Sequence, residues 1–124
     1  MFAVRIAALA GFSLALAGPI GAQPATYTVA VASFSFSPHP IQLAAGRPVT
    51  LTFVNRSGGG HDFTAKEFFA SSRILAGSAP GGEIELHGGE TRSITLVPAA
   101  GVYKAHCSHF LHATMGMTDQ IIVR

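Results

Sequence analysis

Apolar residues recur at every second position over most of this chain. Val49, Leu51 and Phe53 alternate with Thr50 and Thr52, the spacing that puts one set of side chains on each face of a strand. Tyr27–Val31 alternates in the same way, as do Phe34 and Phe36. Pro38 and Pro40 then interrupt, and Ile41 and Leu43 resume before an Ala-Ala-Gly turn. Further on, Glu83–His87 offers Ile84 and Leu86 as a buried side, and Thr91–Val97, Val102–Cys107 and Gln120–Arg124 read as strands. Asn55–Gly60 reads as a loop, because three glycines and an Asn do not make a strand interior. His61–Ala65 resumes as a short strand. Lys66–Ile74 is the one helical segment, with Phe68 and Phe69 on its face. About seven strands at regular spacing, with Gly and Pro between them, predict an all-β sandwich or small barrel. Phe34, Phe36, Phe53 and Phe63 are expected in its core.

The first residues follow another pattern. Met1–Ala22 has one basic residue, Arg5, then the apolar run Ile6–Ala17, then small residues at Gly21 and Ala22. That order predicts an export signal over 1–22, cleaved before Gln23. The run is short for a bilayer span, and no basic cluster follows it. Residues 23–124 then form one domain, a monomer without stable membrane insertion once the signal is removed, in the periplasm. Losing Arg5 takes the formal charge from +2 to +1. So small a charge gives no argument for nucleic acid or an anionic membrane surface as a partner, and no nucleic-acid partner is expected.

Cys107 is the single cysteine, so an exported chain cannot hide its thiol in an internal disulfide. Its neighbours suggest another protection. Cys107, His112 and Met117 stand five apart in a stretch between two predicted strands, and His61 follows the glycine loop. Two imidazoles and a thiolate, with a weak thioether, suit an electron-transfer copper centre; thioether is a poor zinc ligand. Met115 is an alternative thioether, although Gly116 favours Met117 by letting the chain turn inward. His109 is expected to be exposed or to touch the ligands rather than the metal. His106 should point away from Cys107 by strand alternation. His39 and His87 read as surface residues. Phe110 either covers the site or belongs to an apolar contact surface.

Tyr103–Val123 (YKAHCSHFLHATMGMTDQIIV) and Gly60–Phe63 (GHDF) resemble the copper-binding segments of the cupredoxin family, the plastocyanin, azurin and rusticyanin group. The four-residue gaps are most similar to rusticyanin-like loops. The resemblance implies a Greek-key β-sandwich with one short helix. It also implies one copper ion per chain, cycling between Cu(I) and Cu(II), with His61, Cys107 and His112 as strong ligands and Met117 as the axial one. This sequence departs from that family at Asp62, often Asn or Ser there, at the extra histidines His106 and His109, and in the bulky Phe110-Leu111-His112 turn.

The function implied is one-electron transfer between redox partner proteins, without catalysis, since protein would fill all four copper positions. The extra histidines keep open a copper-handling protein that delivers metal to a transfer partner. An atypical copper enzyme or a metal-free structural module is a further alternative, with no nucleophilic triad or phosphate loop to support it.

Overall fold

A computed structural model describes residues 23–124; the export-signal reading of residues 1–22 lies outside the described residues. Ten strands are present there: β1 (Ala25–Ala32), β2 (Ser35–Ser37), β3 (Ile41–Leu43), β4 (Val49–Asn55), β5 (His61–Thr64), β6 (Arg73–Ala76), β7 (Glu83–Leu86), β8 (Thr91–Val97), β9 (Gly101–His106) and β10 (Thr118–Val123). One α-helix, α1 (Lys66–Ser71), follows β5, and a single 3-10 turn covers Pro80–Gly82.

The strands make two five-stranded sheets, in the orders β2-β1-β4-β8-β6 and β3-β10-β9-β5-β7. Pairs β1–β4 and β3–β10 are parallel, and the other pairs antiparallel. The alternation read from the sequence sets which face is inside. Val49, Leu51 and Phe53 of β4 and Ile94 and Leu96 of β8 are buried from one sheet. Phe63, Ile84, Leu86, Ala105, Ile121 and Val123 are buried from the other. Phe63 joins the layers: its ring lies 4.7 Å from Phe53, 5.2 Å from Phe36 and 6.2 Å from Phe69 of the helix. The architecture is the predicted all-β sandwich with one short helix.

Three expectations need correction. The strand count is ten rather than about seven: the short pieces on either side of Pro38 and Pro40 each stand as strands, β2 and β3, and Arg73–Ala76 adds β6. The helix stops at Ser71, not Ile74: Ser72 is extended, and both its hydroxyl and its N–H donate to the carbonyl of Phe68, which ends the helical ladder. The chain then enters β6, whose four residues are all exposed and so show no burial pattern to read. Phe34 is only partly buried, packed at the core's margin. Among the described residues, no helix is long and apolar enough to cross a membrane.

Candidate metal centre

His61 opens β5, and the loop before it is latched by a residue that chain patterning does not single out. Asn55 ends β4 with its side chain pointing inward, 1% exposed. Its Nδ2 donates to the carbonyls of Gly59 at 2.8 Å, His87 at 3.0 Å and Leu86 at 3.3 Å. Its Oδ1 accepts from the N–H and hydroxyl of Ser57. One buried amide thus ties the glycine loop to the end of β7. The two turns pass so closely that a Cβ on Gly88 would sit 2.5 Å from the Gly58 carbonyl oxygen. His61 leaves this clamped loop with its ring buried.

Cys107 follows directly on β9, and Met117 directly precedes β10. The Cys107 N–H donates to the Met117 carbonyl at 3.1 Å, and the Met117 N–H donates to the His112 carbonyl at 3.1 Å. The first bond closes residues 107–117 into a loop at its neck, and the second closes a turn over 112–117 within it. Gly116, at φ 95°, takes the left-handed turn that L side chains avoid, and the following Met117 is fully buried. Met115 instead faces solvent, 59% exposed. Phe110 is 87% exposed and Leu111 is exposed beside it.

The β5–β9 ladder pairs Thr64 with His106 and goes no further toward the loop. Beyond that point Asp62 replaces backbone pairing as the tie between the two segments. Its N–H points at Cys107 Sγ, 3.4 Å away. Its Oδ1 accepts from the Ser108 N–H and the Thr64 hydroxyl, each at 2.8 Å, and its Oδ2 accepts from the Ser108 hydroxyl. The sheet splays there, and the donor atoms gather in the opening.

His61 Nδ1 and His112 Nδ1 lie 3.2 Å apart, and Cys107 Sγ lies 3.5 Å from the His112 nitrogen and 3.9 Å from that of His61. The circle through these three atoms has a radius of about 2.1 Å, the length of a metal–imidazole bond and slightly short of the ~2.3 Å of a metal–thiolate bond. The trio therefore fits around one first-row metal ion. The outer nitrogen of His61, Nε2, lies 3.0 Å from the Ser33 hydroxyl. With the proton held there, Nδ1 presents its lone pair inward. Phe34 sits edge-on to both rings, 5.0 Å from His112 and 6.3 Å from His61, as an apolar wall.

The electrostatics favour neutral imidazole and hinder a free thiolate. Burial lowers the His61 pKa, and neighbouring His112 and His109 lower it further, against the pull of Asp62 and Glu85. Burial pushes the Cys107 thiol up, while the N–H groups of Asp62 and His109 act the other way. Without a cation the thiol keeps its proton; a bound metal would displace it.

His61, Cys107 and His112 are thus brought together from two separate segments, and Met117 is buried with its backbone bonded to Cys107 and His112. His109 stays out of the trio: its Nε2 lies 2.8 Å from Glu85 Oε1, and its ring stacks on His112 at 5.4 Å. His39, read as an ordinary surface residue, pairs with the buried Asp119 at 2.6 Å. Sequence reasoning missed Ser33 and Asn55. An Asn closing a buried strand just before a glycine run was the available signal for Asn55; nothing local marks Ser33.

The profile of the copper-binding proteins of the plastocyanin/azurin family matches residues 24–124. Among solved structures, the reduced auracyanin of Roseiflexus castenholzii superposes with a TM-score of 0.61 at 19% identity, over 80% of this chain and 96% of that one. Auracyanin A, a "blue" copper protein of Chloroflexus aurantiacus, gives 0.61 at 20% identity, over 82% and 100%. A multicopper oxidase of Campylobacter jejuni gives 0.64 at 12% identity, with 82% of this chain matching 30% of the oxidase. At such identities these likenesses concern the fold. No curated protein sequence gives a match.

Proposed function

Since the chain belongs to the plastocyanin/azurin family of copper-binding proteins, we propose that it carries one copper ion on His61, Cys107 and His112, with Met117 as axial ligand, and passes single electrons between redox partners. The observation that carries this reading is the donor triangle, sized for one ion and built from two imidazoles and one thiolate. When loaded, such a site supplies a one-electron couple, Cu(I)/Cu(II).

The chain's own residues do the rest. Asn55 and the neck of the 107–117 loop hold both segments in place, so the donors cannot rearrange freely when charge changes. Small rearrangement is what rapid electron transfer requires. The Ser33 hydroxyl can accept from a protonated Nε2 of His61, the tautomer that turns Nδ1 toward the metal, and the Asp62 N–H draws charge from the Cys107 sulfur. Phe34 and Met117 keep water from two sides. Phe110, Leu111 and Met115 give the ligand loop an exposed apolar face, suited to brief docking of a redox partner. Auracyanin A, one of the structures with this fold, is described as a blue copper protein, and the same chemistry is proposed here. The chain is a carrier rather than an enzyme, a monomer, and works in the periplasm after loss of residues 1–22. Intact mass of the exported protein tests that last point, and a full-length mass would overturn it.

Four single variants test the ligand set: Cys107→Ser, His112→Ala, Met117→Leu and His109→Ala. Each is titrated with copper and followed by visible absorption and electron paramagnetic resonance. Loss of the thiolate-to-copper band is expected in the first two, a shifted band in the third and an unchanged band in the fourth. A band lost in His109→Ala but kept in His112→Ala would refute the assignment. Rapid loss of copper to a chelator, without a reversible couple, would favour copper delivery over electron transfer.

A further inference from the structure

A second cluster of donor atoms stands beside the first and shares none of its residues. Asp62, Glu85 and His109 each offer one ligand atom, all within 4.8 Å of one another. His109 Nε2 is the meeting point, 2.8 Å from Glu85 Oε1 and 3.7 Å from Asp62 Oδ2. Strand register creates the cluster: Asp62 pairs with Glu85 across β5 and β7, so both carboxylates leave the same face. Glu83 follows two residues along, opposite Thr64 on that face. A bare Cα at Gly60 leaves room for the ring, since a Cβ there would lie 3.2 Å from His109 Cε1.

The charges are unbalanced. Among the described residues, no Lys or Arg pairs with either carboxylate; Arg92 reaches only the backbone carbonyl of Glu85. The Asp62 side chain is wholly buried, held by the neutral donors Ser108 and Thr64. Like carboxylates directly opposite on a sheet repel one another. Burial, and then the charge of Asp62, pushes the Glu83 carboxyl up. His109 and Glu85 are each partly exposed, so the cluster opens to solvent and has room for water ligands.

We propose that Asp62, Glu85 and His109 form a second metal site, specific for a borderline divalent cation of the Zn²⁺ or Co²⁺ kind. One imidazole and two carboxylates suit such ions, whereas a monovalent thiophilic ion has no sulfur to seek here. The cation takes the place of the contact between His109 Nε2 and Glu85 Oε1 and counters the two facing carboxylates. The hydrogen bonds that Ser108 and Thr64 donate hold the Asp62 carboxylate ready for it. The proposal stands on the geometry of Asp62, Glu85 and His109, whichever ion the first site takes.

Cobalt makes the test visible. The protein is first given one equivalent of Ag⁺, which is colourless and seeks the Cys107 thiolate, and is then titrated with Co²⁺. The expected result is uptake of one Co²⁺ with weak d–d bands and no thiolate charge-transfer band. Glu85→Gln and His109→Ala should each weaken that uptake by about tenfold or more, without changing silver binding. Glu85 is half exposed and the Gln variant is isosteric, so it keeps the fold. Absence of Co²⁺ uptake in large excess, a thiolate charge-transfer band, or unchanged affinity in both variants would overturn the proposal.

Discussion

Asn55→Asp alters one side-chain group and hardly changes its shape, yet the structure predicts a large loss of stability. The wild-type amide has two protons, aimed among three backbone carbonyls at 2.8, 3.0 and 3.3 Å. The carboxylate has none, so an oxygen replaces the donor and faces those carbonyls in a buried site. Two lost hydrogen bonds are worth about 1 kcal/mol each, and each buried group left unpaired costs about 1–3 kcal/mol. A total near 3 kcal/mol is the conservative figure. With a urea m-value of about 1.5 kcal/mol/M, the unfolding midpoint of the metal-free protein should fall by about 2 M at pH 7. The melting temperature should drop by roughly 12–24 °C. The pH dependence carries a second signature. Burial among carbonyls raises the pKa of the new carboxyl in the folded state, so the folded variant holds its proton more tightly than the unfolded one. Its deficit should narrow as pH falls through that raised value and widen as pH rises. Chemical denaturation from acid to neutral pH, with m checked for constancy, is the assay. A midpoint within about 0.5 M of wild type at pH 7 would show that the amide does not latch the loop as described.

Asp62→Asn should raise the reduction potential of the copper-loaded protein, measured by voltammetry, because a buried negative charge beside Cys107 favours the higher metal charge; an unchanged or lower value would contradict this. Copper should stabilise the fold, since the donor triangle exists only when the two segments are folded together. At free copper a thousandfold above Kd the gain is about 4 kcal/mol, and equal melting temperatures with and without metal would refute it. Asp119 supplies a pH test remote from the loop's tip. Burial raises its pKa despite the Gln120 N–H and His39, and its Oδ2 has no partner. The folded state then holds this proton more tightly than the unfolded chain, so stability should fall as pH rises from about 3.9 through the folded value. Asp119→Asn should flatten that slope in melts of the metal-free protein, and an unchanged slope would count against it.

The sandwich was legible because period-two alternation in Val49–Val54, Glu83–His87 and Thr91–Val97 is enforced by burial on one face. β6 was illegible for the same reason: Arg73–Ala76 buries nothing, and its pairing with β8 leaves no trace in side-chain choice. The helix end was misplaced because Ile74 fits a helical stripe, while the serine hydroxyls that stop the helix act through hydrogen bonds rather than hydropathy. At the site, the gathering of Cys107 and His112 was readable from their chemistry and close spacing in one loop. Ser33 was not, because its bond to His61 spans 28 positions and arises only when β1 and β5 come together. The Asp62–Glu85–His109 cluster was hidden likewise, since strand register rather than sequence spacing assembles it.

The neck that closes residues 107–117 has a consequence for how this protein can change over generations. The anchoring bond is backbone to backbone, and the strands on either side are already paired at Thr118 and His106. Side chains between the anchors bear little of the load of the sandwich, and Phe110 and Leu111 face solvent. The segment therefore behaves as a replaceable cartridge: its length and contents can vary while the two sheets persist. Selection can retune the metal's environment and the docking face together by altering the nine codons between Cys107 and Met117. His61 and its latch at Asn55, supplied by a different part of the chain, stay fixed as the socket into which each new version must fit.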